Sequence, residues 1–130
     1  MIMIDGKDYT EVVEESRFAG IHVLFISIYL TTTDIKDEVE SIKYSELELI
    51  KLLRELAKTK EIRLTIYGYT KNFRKYVEDS DIEKELKKLQ DSFPKEYDKK
   101  TVEDMKYLWW FRDCHLAIGW RQDDGDYYYD

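Results

Sequence analysis

Apolar side chains recur at helical spacing in the middle of the chain. Ser45 and Glu48 have the spacing of a capping box, in which side chain and backbone satisfy each other's donors at a helix start. The apolar residues that follow lie on one face of a helix: Leu49, Leu52, Leu53, Leu56 and Ala57. The pattern predicts an amphipathic helix from Ser45 to about Lys60.

A second helix is predicted between Ser80 and Pro94. Ser80 and Glu83 repeat the capping-box spacing, and Pro94 cannot continue a helix because it lacks a backbone N–H. The positions expected to face the core are Ile82, Leu86 and Leu89.

Two segments near the N-terminus are predicted to be extended. Asp5 and Gly6 form a two-residue hairpin signal between Met1–Ile4 and Lys7–Val13. The stretch Ile21–Thr33 is rich in β-branched and aromatic residues and is apolar on both faces. Such a segment is typical of a central strand that is covered on both sides.

Further extended segments are predicted after residue 60. Glu61–Tyr69 alternates, with Ile62, Leu64 and Ile66 on one face. The stretch from Tyr107 to Phe111 also alternates, although a helical reading of it remains open. The last strand has three apolar positions on one face: Leu116, Ile118 and Trp120.

This order of elements predicts an α+β fold. The expected architecture is a single domain with a mostly antiparallel sheet and two to four helices packed on one of its faces. A chain of 130 residues fits one domain spanning positions 1–130. Residues 122–130 contain no aliphatic side chain, so they are either an acidic aromatic tail or a further strand.

The charge narrows the classes of partner. The net charge is −7, with 28 acidic against 21 basic side chains. Phosphate repels such a surface, which argues against direct nucleic-acid binding. A single cysteine cannot form an internal disulfide, and the longest apolar run, Ile21–Leu30, is too short to span a membrane as a helix. These features predict a cytoplasmic protein without membrane contact, either a monomer or a homodimer.

Few residues suggest catalysis or a cofactor. Cys114 and His115 are the only adjacent nucleophile and base, and on a strand they would point to opposite faces. No ligand spacing indicates a metal, and no glycine pair has phosphate-loop spacing. We therefore assign no catalytic residue, no metal ligand and no cofactor.

Acidic and aromatic residues concentrate near the C-terminus. Positions 101–130 carry seven acidic and three basic side chains together with all three tryptophans. Aromatic side chains supply most interface energy and carboxylates select the sign of the partner. The candidate partner-binding residues are Asp123, Asp124, Asp126, Tyr127, Tyr128, Tyr129, Asp130 and Trp110, with a second group of Glu11, Glu14 and Glu15.

These features favour a small acidic inhibitor of another protein. The expected partner is a nucleic-acid-binding enzyme or complex with a basic surface, whose phosphate sites carboxylates could occupy. Immunity or antitoxin proteins, and phage or viral anti-defence proteins of the anti-CRISPR kind, are two settings for such a chain. Two alternatives stay open: a small enzyme acting on a nucleotide or signalling molecule, and a homo-oligomeric structural protein.

Overall fold

The computed structural model describes residues 1–67 and 74–129. An N-terminal hairpin, β1 (Met3–Ile4) and β2 (Lys7–Asp8), leads into helices α1 (Thr10–Ser16), α2 (Ile21–Tyr29) and α3 (Glu38–Lys58). Strands β3 (Ile62–Tyr67) and β4 (Arg74–Tyr76) follow. Then come a 3-10 turn (Asp79–Asp81) and helices α4 (Ile82–Ser92), α5 (Lys99–Met105) and α6 (Trp109–Arg112). Strands β5 (Leu116–Arg121) and β6 (Tyr127–Tyr129) complete the described chain.

The α+β prediction is confirmed. Two antiparallel sheets are present in the described residues, the two-stranded hairpin and a four-stranded sheet in the order β4-β3-β5-β6. The described helices number six, more than the two to four expected. One continuous core joins the helices to the sheet face that carries Ile62, Leu64, Leu116, Ile118 and Trp120.

Helix α3 is the central element of the core. Its predicted apolar face is confirmed, because Leu49, Leu52, Leu53, Leu56 and Ala57 are all buried. The predicted start is wrong. The helix begins at Glu38, seven residues before Ser45, and the Asp37 side chain just ahead of it accepts a hydrogen bond from the Glu40 backbone N–H at 3.1 Å. Ser45 lies inside the helix and donates to the Ser41 carbonyl at 2.8 Å.

The strand prediction for Ile21–Thr33 is also wrong, because this stretch contains α2. Its buried residues are Ile21, Leu24, Phe25 and Ile28, which is the i, i+3, i+4, i+7 spacing of one helix face. The opposite face is apolar as well, so the helical period was hidden. The second half of the predicted strand Lys7–Val13 likewise belongs to a helix, α1.

Other sequence expectations have mixed outcomes. The Asp5-Gly6 turn is confirmed, with φ of 51° and 81° at its two central residues. The Ser80–Glu83 helix exists as α4, but no side chain caps it. The strand expected for Glu61–Tyr69 is confirmed over Ile62–Tyr67, and its last two residues lie outside the described range. Among residues 1–67 and 74–129, no helix has the length and apolar composition needed to cross a membrane.

The C-terminal segment forms a strand along the edge of the sheet. Tyr127, Tyr128 and Tyr129 of β6 pair with Arg121, Trp120 and Gly119 of β5. The Tyr129 ring lies directly over Gly119, where any Cβ atom would overlap it. The ring therefore covers the sheet face opposite the helices at this position.

Candidate protein-interaction surface

Cys114 and His115 have separate partners. The Cys114 thiol is buried and donates to the Leu116 carbonyl at 3.4 Å, and burial raises its pKa to about 12. The His115 ring lies 3.0 Å from a Glu85 carboxylate oxygen. A nucleophilic cysteine needs a thiolate near neutral pH. This thiol stays protonated there, so the geometry gives the pair no nucleophilic role.

Three buried glutamates were not identified from the sequence. Glu48 accepts hydrogen bonds from Tyr9 at 2.6 Å and Tyr44 at 3.0 Å, and Glu46 accepts one from Tyr97. Glu85 is the third, beside His115. Each carboxylate therefore has an internal partner. No sequence signal marks them, because acidic residues on an amphipathic helix are normally expected on its solvent face.

In the part of the chain that the structure describes, no three His, Cys, Asp or Glu side chains converge in a way that could hold a metal ion.

Two of the predicted acidic residues, Asp123 and Asp124, line a groove between the end of α1 and the β5–β6 hairpin. The groove has a volume of about 520 Å³ and is lined by Arg17, Phe18, Arg121, Gln122, Asp123 and Asp124. We call this the acidic groove, and we include Glu14 and Tyr128, which contact its lining. It joins parts of the chain more than 100 residues apart in sequence.

Ion pairs within the protein hold the two walls of the groove together. Arg17 pairs with Glu14 at 3.0 Å and with Glu61 at 3.4 Å. Arg121, on the other wall, also pairs with Glu61, at 2.7 Å. The Arg17 guanidinium lies 5.8 Å from the centre of the buried Trp120 ring. The cations in the groove are thus already neutralised by the protein's own carboxylates.

The acids on the hairpin are not part of these ion pairs. Asp123, Asp124 and Asp126 are exposed, and no basic side chain in the described chain lies within ion-pair distance of them. Asp124 accepts a hydrogen bond from the Asp126 backbone N–H at 2.9 Å, which fixes the turn. The groove therefore presents uncompensated negative charge on an ordered loop.

Two exposed aromatic side chains accompany these acids. Phe18 and Tyr128 make an edge-to-face contact, with ring centroids 5.8 Å apart, and each is 44% exposed. Phe18 has φ of 67°, an uncommon backbone conformation for a bulky residue. Sequence reasoning missed Phe18, because a single aromatic residue in a turn produces no periodic signal.

The remaining predicted residues lie in several places. Glu11, Glu14 and Glu15 are exposed on helix α1, where we had expected a strand region. Tyr127 and Tyr129 face the other side of the sheet, where the Tyr127 ring lies 4.6 Å from the Arg63 guanidinium. Asp130 lies outside the described residues.

Trp110 does not lie on the surface. It is buried, and its indole N–H donates to the Met105 carbonyl at 2.7 Å. In a helix both Trp109 and Trp110 turn inward, whereas a strand would have placed them on opposite faces. Phe111, the next residue, is the exposed one.

The comparisons with known proteins identify one family. No curated protein matches the chain, and no solved structure matches it. Residues 58–129, more than half of the chain, match the family described as "Protein of unknown function, DUF596". The matched segment begins at the last residue of α3 and includes the whole four-stranded sheet and the acidic hairpin. The chain therefore belongs to the DUF596 family.

Proposed function

We propose that this protein binds another protein through the acidic groove and blocks a nucleic-acid-processing enzyme or complex. The observation that carries the proposal is the juxtaposition of Asp123 and Asp124, which have no basic partner, with the exposed pair Phe18 and Tyr128. Carboxylates on an ordered hairpin can occupy sites that otherwise hold phosphate groups of a nucleic acid.

The two kinds of residue have different physical roles. Exposed carboxylates attract a basic partner over a Debye length of about 8 Å and raise the association rate. Phe18 and Tyr128 supply apolar area, and their mutual contact reduces the side-chain entropy lost on binding. Together they support binding to protein rather than to nucleic acid, whose phosphates the net charge of −7 repels.

The proposal fits an immunity or antitoxin protein, or an anti-defence protein of a phage or virus. In each case the target enzyme has a basic groove for nucleic acid. We place the activity in the cytoplasm, since the one cysteine, Cys114, is a free thiol.

Affinity capture with matched variants tests the proposal. Tagged wild-type protein is used to capture partners from the organism that encodes it, in parallel with two double variants. Asp123→Asn with Asp124→Asn removes two charges from the groove. Asp34→Asn with Glu55→Gln removes the same charge from exposed positions elsewhere. We expect the groove variant alone to lose the specific partner.

The partner is then purified and its activity on nucleic acid is measured. Wild-type protein should inhibit it, duplex DNA or RNA should compete with the wild-type protein for it, and affinity should fall steeply as salt rises. A partner that does not bind nucleic acid, or an affinity that is insensitive to salt, would contradict the proposal. Equal loss of binding in the two double variants would show that only the total charge matters.

A further inference from the structure

A second cleft lies beside the first half of β3, on the side where β4 ends. Strand β4 pairs with β3 only at Thr65, Ile66 and Tyr67, so no described strand lies beside residues 62–64 at this edge. After Tyr76 the chain turns away into the 3-10 turn and α4. The space left between them has a volume of about 520 Å³, which is in the usual range for a small-molecule site. We call it the β3 cleft, and it shares no lining residue with the acidic groove.

Aromatic side chains hold Arg63 at this cleft. The Arg63 guanidinium lies 4.6 Å from the centre of the Tyr76 ring on β4 and 4.6 Å from the centre of the Tyr127 ring on β6. Both rings are themselves fixed, since the Tyr127 hydroxyl donates to the Lys60 carbonyl at 3.1 Å and the Tyr76 ring stacks on Tyr129. Arg63 also interacts with the Tyr129 hydroxyl. These neighbours limit the conformations of Arg63, so a ligand that binds it loses little side-chain entropy.

The four charged residues of the lining divide into a neutral pair and two single charges. Lys60 and Asp79 pair with each other, with Nζ and the carboxylate 2.6 Å apart. Arg63 and Glu78 are exposed, and neither has an ion-pair partner among residues 1–67 and 74–129. They do not pair with each other either. The β3 cleft therefore presents one uncompensated positive charge and one uncompensated negative charge.

This charge pattern selects a class of ligand. A guanidinium binds a carboxylate through two parallel N–H donors, and a carboxylate such as Glu78 binds an ammonium group. A phosphate ester carries about two negative charges, which Glu78 and Asp79 in the same lining would repel. A zwitterion matches both single charges. It carries no net charge, so the net charge of −7 on the protein does not repel it.

We propose that the β3 cleft binds a free amino acid, with the α-carboxylate on Arg63 and the α-ammonium on Glu78. The rings of Tyr76 and Tyr127, with Val77 from the opposite wall, then contact the side chain of the ligand. The proposal goes beyond the binding of a basic partner at the acidic groove and does not depend on it.

Isothermal titration calorimetry of the purified full chain tests the proposal. The standard amino acids are titrated one at a time near pH 7, and we expect at least one to bind with a dissociation constant below about 1 mM. Two analogues of that amino acid follow, the amine that lacks the carboxylate and the acid that lacks the amino group. Each analogue should bind roughly tenfold more weakly or worse, because each leaves one charge of the cleft without a partner.

Matched variants assign the two charges. Arg63→Gln and Glu78→Gln should each raise the dissociation constant by about tenfold or more. Arg63→Lys keeps the charge but loses the planar fork, so it should weaken binding as well. The controls are Lys75→Gln and Asp81→Asn, which remove the same charges from exposed neighbouring positions outside the lining. Both controls should bind the amino acid like the wild type.

Circular dichroism melts establish that each variant is folded before its affinity is interpreted. The proposal is overturned if no amino acid binds the wild type, or if either analogue binds as tightly as the amino acid. Wild-type affinity in the folded Glu78→Gln variant, or in a folded Arg63 variant, would also overturn it. Failure of the acidic-groove proposal would instead appear as unchanged partner capture by the Asp123 and Asp124 variant, which leaves the β3 cleft intact.

Discussion

Replacing Glu46 by glutamine should make the protein more stable at neutral and alkaline pH. Glu46 is 4% exposed on α3, and burial raises its pKa to about 7 from an ordinary value of 4.5, against the opposing effects of Tyr97 and Lys43. The folded state thus holds the Glu46 proton more tightly than the unfolded state does. Ionisation of this group therefore disfavours folding.

The sign and size follow from linkage. The contribution of Glu46 to stability is complete below pH 4.5 and falls as the pH rises through about 7. Each tenfold difference in proton affinity corresponds to about 1.4 kcal/mol, so the loss reaches roughly 3 kcal/mol above neutral pH. Glutamine does not titrate, so it loses no stability as the pH rises. Its amide oxygen can still accept a hydrogen bond from the Tyr97 hydroxyl.

Urea unfolding measures this pH dependence. The free energy of unfolding is determined for wild type and for Glu46→Gln at several pH values from acidic to mildly alkaline. The difference in unfolding free energy should shift in favour of the variant by about 3 kcal/mol across that interval. Glu40→Gln, an exposed change on the same helix, is the control and should show no such trend. If the difference in unfolding free energy between wild type and Glu46→Gln stays constant with pH, the prediction is wrong. Such a result would mean that Glu46 ionises in the folded state at little cost.

Three further changes test the core and the sheet. Leu53→Ala should lower the unfolding free energy by about 2–5 kcal/mol in a denaturant titration, because Leu53 is fully buried on α3. Cys114→Ser should leave partner binding intact and cost only about 1–2 kcal/mol in a thermal melt, because a serine hydroxyl can still donate to Leu116. Gly119→Ala should cost about 1–3 kcal/mol and increase hydrogen exchange in β6, since its Cβ would displace the Tyr129 ring. Wild-type exchange in that variant would contradict the packing seen here.

The sequence predicted the elements whose hydrophobic period is unambiguous. Helix α3 and strand β5 each combine an apolar face with a polar or small-residue face, so one period fits them. Helix α2 was mistaken for a strand because it is apolar almost throughout, and periodicity then cannot separate a buried strand from a buried helix. Its β-branched content favoured the wrong alternative, and tertiary packing overrides that weak preference.

The candidate site was predictable only in part for a similar reason. The acids of the β5–β6 hairpin could be seen as a local concentration of charge. The other residues of the groove could not be predicted. Arg17 and Phe18 lie far from the hairpin in sequence and reach it only through the packing of α1 and α2. Trp110 was expected on the surface and is buried, because the segment is helical and adjacent residues of a helix are about 100° apart rather than on opposite faces.

The acidic groove depends on both parts of the chain, the family-matched segment and the residues before it. The matched segment supplies Asp123, Asp124 and Tyr128, whereas Phe18 precedes it. Glu61, within the matched segment, binds an arginine from each side and so fixes the distance between the two walls. Charge mainly sets how fast a partner arrives, and buried aromatic contacts mainly set how long it stays. The hairpin acids should therefore govern the association rate, while the contact between Phe18 and Tyr128, which needs both parts of the chain, should govern the lifetime of the complex.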